Sequence, residues 1–137
     1  MNKQALKAIW FRLNVQLTRK EKLIFAKYLS VLLGAGLAID ESIDVLRKQA
    51  KGSQGRILEH ISLTVKHGET LASGLAAFPH VFSPLFINLV ASGEATGNLQ
   101  GNLLHIVGQL EKEYELNSKI RGALMYPAII VIAAFVI

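Results

Sequence analysis

Thr18-Arg19-Lys20-Glu21, followed by Leu23, Ile24, Ala26, Lys27, Leu29, Ser30 and Leu33 and closed by Gly34-Ala35-Gly36, is the stretch on which the fold turns. Thr18 with Glu21 three residues later is a capping box. The threonine hydroxyl accepts from the third backbone amide of the helix, and the glutamate reaches back to the cap. Apolar residues then recur at three- and four-residue steps, and Gly36 suits the left-handed position that ends a helix. This segment reads as a helix bounded at both ends by its own chemistry.

The pattern repeats toward the C-terminus. Asp40 reads as the next N-cap, with Ile43, Val45 and Leu46 on a second helix that ends by Lys51-Gly52. Ser53 reads as the cap of a third, with Ile57, Leu58, Ile61 and Val65 on its buried side and Gly68 as its stop. Thr70 caps a short fourth helix, Leu71 to Ala77, closed before Pro79. Ser83-Pro84 opens a fifth, with proline at the first helical position, where its missing N–H is harmless. That helix carries Leu85, Phe86, Leu89 and Val90 toward Gly93. A sixth begins near Asn98 and places Leu99, Leu103, Val107, Leu110 and Tyr114 on one face. No segment alternates as a strand does. The expected fold is all-α: a six-helix antiparallel bundle of helical hairpins over residues 18–121. Two of its corners, Leu32-Leu33-Gly34-Ala35-Gly36 and Leu89-Val90-Ala91-Ser92-Gly93, share small residues that let a neighbouring helix come close.

Residues 1–17 form a basic amphipathic leader. Leu6, Ile9, Trp10 and Leu13 share one helical face, and Lys3, Lys7 and Arg12 lie on others. Such a segment can lie on a membrane, dock on the domain or hang loose. It has no continuous apolar core of the kind a secretory signal carries.

At the other end the composition changes abruptly. Hydrophobic residues make up 51% of the 137-residue chain, and the mean hydropathy is +0.36. The excess is concentrated after Arg121, the last charged residue. Asn98 to Ile137 as one unbroken helix would run about 60 Å. Its uncharged part, residues 122–137, is somewhat shorter than the roughly 20 residues a full membrane crossing needs. It also ends in Ala134-Phe135-Val136-Ile137 without a polar flank. The reading is the start of a first transmembrane helix, truncated. Lys119 and Arg121 before it keep the preceding domain cytoplasmic under the positive-inside rule. Tyr126 suits the boundary, and Pro127 removes a helical hydrogen bond and kinks the entry.

Catalytic chemistry finds little support. The 15 Lys and Arg against 10 Asp and Glu give a net charge of +5, but the basic residues are scattered apart from Arg19, Lys20 and Lys22. A nucleic-acid surface would need a denser basic face with stacking aromatics. The chain has no cysteine. His60 and His67 stand seven residues apart, too far to share one metal, and His80 and His105 make no ligand pair with them. The glycines of Gly93-Glu94-Ala95-Thr96-Gly97 are not a phosphate loop, because no strand precedes them and no Gly-Lys-Ser/Thr follows. Glu111, Glu113 and Glu115 read as a solvated face. No catalytic residue, cofactor or metal is expected.

Several strings are more specific in combination. Leu33-Gly34-Ala35-Gly36-Leu37-Ala38-Ile39, Val65-Lys66-His67-Gly68-Glu69-Thr70-Leu71, Phe78-Pro79, Phe82-Ser83-Pro84-Leu85 and Val90-Ala91-Ser92-Gly93-Glu94-Ala95-Thr96-Gly97-Asn98-Leu99 occur in that order. Together with Lys119-Ile120-Arg121 and Tyr126-Pro127, this series resembles the type II secretion system protein F family. The likeness covers about Thr18 to the end. Members of that family are inner-membrane platform proteins of type II secretion, type IV pilus and competence-pilus machines. They usually carry two copies of this domain and three spans, where this chain has one copy and part of one span.

The resemblance implies a non-enzymatic scaffold at the inner membrane, with this domain on the cytoplasmic side. It would couple a cytoplasmic assembly ATPase to pilus or pseudopilus assembly and touch other machine subunits and pilin-like proteins. Pairing as a homodimer is a further expectation, since symmetric pairing is the commonest way such a domain multiplies its contacts. Glu94 is then the carboxylate to watch. It could meet a partner, help hold a cation, or simply favour the start of the sixth helix. Gly93, Gly97 and Gly36 are expected to serve backbone geometry. If Glu94 is not the contact, Arg19, Lys20 and Lys22 are the next candidates. A membrane-tethered adaptor or sensor binding a soluble signalling protein would have the same composition, as would a membrane enzyme with its catalytic residues elsewhere.

Overall fold

Glu21 N–H donates to the Thr18 hydroxyl at 3.1 Å, and the Glu21 carboxylate accepts from that hydroxyl at 3.0 Å and from the Thr18 N–H at 3.5 Å. The capping box thus starts its helix where the sequence placed it. The computed structural model describes the backbone of residues 2–136, and the side chains of residues 2–7, 9, 15–115 and 131–136.

Among the described residues there is no strand. The helices are α1 (Lys3–Asn14), α2 (Arg19–Gly34), α3 (Ile39–Gln49), α4 (Gly52–Lys66), α5 (Leu71–Ala76), α6 (Pro84–Thr96) and α7 (Leu99–Val136). The all-α class is as expected; among the described residues the helix count departs from the six read for the bundle, α1 lying in the leader. Each helix from α2 onward packs on the next, and α2 closes the ring against α7. The core runs from Phe25 and Leu29 through Ile43, Ile57, Leu58 and Ile61 to Leu75, Val90 and Leu103. Phe25, Phe82 and Phe86 form its aromatic spine, with successive ring centroids 6.0 and 5.1 Å apart, and His60 meets the Phe78 ring edge-on at 5.3 Å.

Several local expectations shift. Ala38, not Asp40, stands at the N-cap of α3, and Asp40 and Glu41 lie in its first turn. Ile39 packs against the core, which draws the helix start upstream and leaves the acids facing the positive end of the helix dipole. Lys51 likewise stands at the cap of α4, while Ser53 sits inside the first turn and accepts from Arg56 at 3.4 Å. Helix α6 does not stop at Gly93 but continues to Thr96. On α7, Leu99, Leu103 and Val107 are buried as read, but Ile106 joins them and Tyr114 is 47% exposed. Val15, read as part of the leader, lies in the core at 1% exposure.

Among the described residues no helix is long and apolar enough to cross a membrane. The truncated transmembrane opening read from residues 122–137 therefore gains no support from the described structure. The side chains of Lys119, Arg121, Tyr126 and Pro127, expected at the membrane entry, lie outside the described residues.

A polar clasp joins α3 to α4. The Asp44 carboxylate pairs with Lys66 at 3.2 Å and Arg47 at 3.3 Å, and accepts from the buried Ser62 hydroxyl at 3.0 Å. Lys66 and Ser62 beside it hold its carboxyl below the usual carboxylate range. A carboxylate whose folded value is depressed adds stability above its unfolded value, and that gain disappears as the pH falls through the folded one. Thermal melts should therefore show the wild type losing stability below the ordinary value of 3.8. An Asp44→Asn variant should be less stable near neutrality and lose less across the same acid range. Parallel pH profiles for the two proteins would mean that the clasp makes no net contribution.

Candidate functional site

The corner between α6 and α7 begins with Ser83, whose hydroxyl accepts from Phe86 N–H at 3.2 Å, and with Pro84 at the first helical position. At the other end of the helix, Gly97 takes φ +74° and ends α6. The Asn98 N–H returns to the Gly93 carbonyl at 2.9 Å, closing a Schellman-type turn. Gly36 ends α2 in the same way at φ +94°, with Leu37 N–H donating to the Leu32 carbonyl at 3.2 Å.

Gly93 has a different reason to lack a side chain. A Cβ there would lie 2.8 Å from the Leu99 Cα and 3.3 Å from the Asn102 Cβ, so α6 and α7 touch nearly backbone to backbone. Asn102 tightens the contact by donating its side-chain amide to the Leu89 carbonyl at 2.8 Å. At the similar small-residue corner of α2, Gly34 lies directly against the Gln100 side chain. Both glycine corners read from the sequence thus abut the first turn of α7.

Glu94 lies on the last turn of α6 and is half-buried. The structure does not aim it at the start of α7. One carboxylate oxygen accepts from Leu71 N–H and the other from Ala72 N–H, both at 2.8 Å. The Thr70 hydroxyl takes the next amide, Ser73 N–H, at 3.0 Å. The opening amides of α5 are thereby all satisfied, two of them by a residue more than twenty positions later in the chain. A six-residue helix is too short to persist alone in water. Here it is held by Glu94 at its N-terminus and by burial of Leu71, Ala72 and Leu75. Because both Glu94 oxygens are engaged, a partner's arginine or a cation would have to share them.

The four histidines fall at separate places. His60 packs on Phe78, the His67 ring meets the Leu63 carbonyl at 2.6 Å, His80 meets the Val15 carbonyl at 2.5 Å, and His105 lies 3.5 Å from Gln109. Among the described residues no group of three or more His, Asp or Glu could hold a metal ion. The corner packs α5, α6 and α7 together through one carboxylate, one close-approach glycine and one left-handed glycine. Sequence reasoning picked out Glu94, Gly93 and Gly97. It missed Asn102 and the α5 amides, whose partners are too distant along the chain to leave a local signal.

The two glycines should respond differently to substitution. Gly97→Ala should cost about 1–2 kcal/mol from left-handed strain, and Gly97→Asn less, since asparagine tolerates that conformation. Gly93→Ala should cost about 2 kcal/mol by forcing α6 from α7, and Gly93→Asn more, because it is bulkier. Thermal melts of the four variants check this, and Gly93→Ala melting with wild type would contradict the close approach.

Comparison with known proteins matches the same segment. The family described as type II secretion system (T2SS), protein F, covers residues 25–137. A type IV pilus assembly protein PilC from Thermus thermophilus is 36% identical over 116 residues, 84% of this chain and 28% of the relative. A type II secretion system protein F from Aeromonas hydrophila is 32% identical over 115 residues, 83% of this chain and 30% of the relative. One from Xanthomonas campestris is 35% identical over 107 residues, 77% of this chain and 26% of the relative. The chain thus spans less than a third of each of these relatives. With the family match running from Phe25 in α2 through the Gly93–Gly97 joint to the end of α7, the chain belongs to the type II secretion system protein F family.

Proposed function

We propose that this chain is the helical cytoplasmic part of a non-enzymatic inner-membrane platform for pilus or pseudopilus assembly. In this reading it couples a cytoplasmic assembly ATPase to the growing filament, and residues 122–137 open the path into the bilayer. The observation that carries the proposal is the family match over residues 25–137, with relatives named for type IV pilus assembly and type II secretion. The physical character of the bundle supports it. The Thr18–Glu21 cap, the Asp44 clasp and the Glu94 contact with α5 each hold helices in place, which suits a part that binds and transmits displacement.

The proposal extends to partners: the ATPase, other inner-membrane subunits, pilin-like proteins and a second copy of the chain. A symmetric pair is the commonest way for such a domain to multiply its contacts. With the Glu94 oxygens held by α5, the contact steered by charge passes to Arg19, Lys20 and Lys22 at the start of α2. Arg19 and Lys20 are exposed there.

In the host, loss of the full-length protein should abolish pili or secretion, and the wild-type gene should restore them. The full-length protein should also capture the assembly ATPase. Arg19→Glu with Lys20→Glu should weaken that capture about tenfold and leave the melting temperature unchanged, because rim charges act mainly on encounter. Normal pili and secretion without the protein would refute the platform role. Failure of the wild type to capture the ATPase would refute the coupling.

A further inference from the structure

Among the described residues, helix α1 is not part of the main helix–helix packing. The helix pairs that carry the fold are α2–α3, α3–α4, α4–α5, α5–α6, α6–α7 and α2–α7, and α1 belongs to none of them. Leu6 and Ile9 on its apolar face are 48% and 45% exposed. The helix is nevertheless anchored at its far end. Val15 directly follows it, lies in the core at 1% exposure, and its carbonyl meets the His80 ring at 2.5 Å. The helix is thus held at one end, with the described residues of its apolar side, Leu6 and Ile9, open to solvent.

Charge indicates what covers that side. No Asp or Glu occurs before Glu21, whereas Lys3, Lys7 and Arg12 lie on α1 itself. At 3.6 residues per turn, Lys3 and Lys7 fall on one flank of the Leu6–Ile9 face and Arg12 on the other. Basic residues flanking an apolar stripe on both sides suit a helix lying in a bilayer interface. The stripe sinks about 5–10 Å into the boundary while the long basic side chains extend up to the headgroups. A docking groove on a protein would need acids on its own side to complement these charges, whereas an anionic lipid surface supplies them everywhere.

We propose that α1 lies in the plane of an anionic bilayer surface, with Leu6 and Ile9 in the acyl boundary and Lys3 and Lys7 at the lipid phosphates. The Val15–His80 anchor then fixes one side of the bundle at the membrane, as a second attachment beside the C-terminal helix. Each lysine or arginine at such a surface strengthens attraction by a few-fold, so removing two charges weakens partitioning about tenfold or more.

The chain's single tryptophan, Trp10, shares the register of the apolar face and serves as the probe. The whole chain is reconstituted into vesicles of phosphatidylcholine alone or mixed with phosphatidylglycerol, and Trp10 emission and quenching by nitroxide-labelled lipid are followed. With phosphatidylglycerol the emission should shift to the blue and the lipid quencher should reach the ring. High salt, or Lys3→Glu with Lys7→Glu, should abolish both effects while leaving the melting temperature unchanged. Emission that stays water-exposed in both vesicle types overturns the proposal, as does an equal shift in neutral and anionic vesicles. A shift that follows protein concentration without vesicles overturns it in favour of a second copy. Flotation with neutral vesicles reports the C-terminal apolar stretch instead, so failure of that part of the platform reading is distinguishable from failure at α1.

Discussion

The carboxylate of Glu94 on the first amides of α5 is the contact on which the far side of the bundle depends. Helix α5 has six residues and cannot hold itself. Its N-terminus needs an anion or a cap, and Glu94 supplies the anion from α6 while Thr70, the residue just before the helix, supplies the cap. A negative charge at a helix N-terminus is favourable by about 0.3–1 kcal/mol at the surface and more when partly buried. Removing it would also leave two amides without their acceptor, which costs about 1–3 kcal/mol where water is excluded.

The same half-turn of α6 carries the next joint. Gly93, beside Glu94, lets α7 approach until its Leu99 backbone would touch a Cβ, and Asn102 donates back to the Leu89 carbonyl. Gly97 then reverses the chain with a left-handed residue. A displacement of α7 would accordingly reach α5 through a few stiff contacts. In the proposed platform, such a joint would pass displacement between helices without chemistry of its own.

Much of this was legible in the sequence because caps are local. Thr18 with Glu21, Thr70 before Leu71, and Ser83 before Pro84 all act within three residues, and all three caps form. Asp40 and Ser53 misled because Ile39 and Ala50 pack against the core and shift the helix starts, which a local motif does not encode. Glu94 was visible as a carboxylate at a corner, but its partners lie 22 and 23 residues earlier. Only the packed arrangement of α5 against α6 brings them together. Tyr114 continued the apolar period of α7 past the point where the bundle ends, so periodicity overstated the core.

The measurement that bears most directly on this account is amide hydrogen exchange at Leu71 and Ala72 in the folded chain. First-turn amides ordinarily exchange nearly freely, because no helical carbonyl accepts from them. In the wild type both should be protected to a degree comparable with the core amides of α6. In Glu94→Ala both should exchange at least tenfold faster while the amides of α2 and α3 change little. Leu71 and Ala72 exchanging at the same rate in wild type and Glu94→Ala would contradict the claim that Glu94 holds α5 in place.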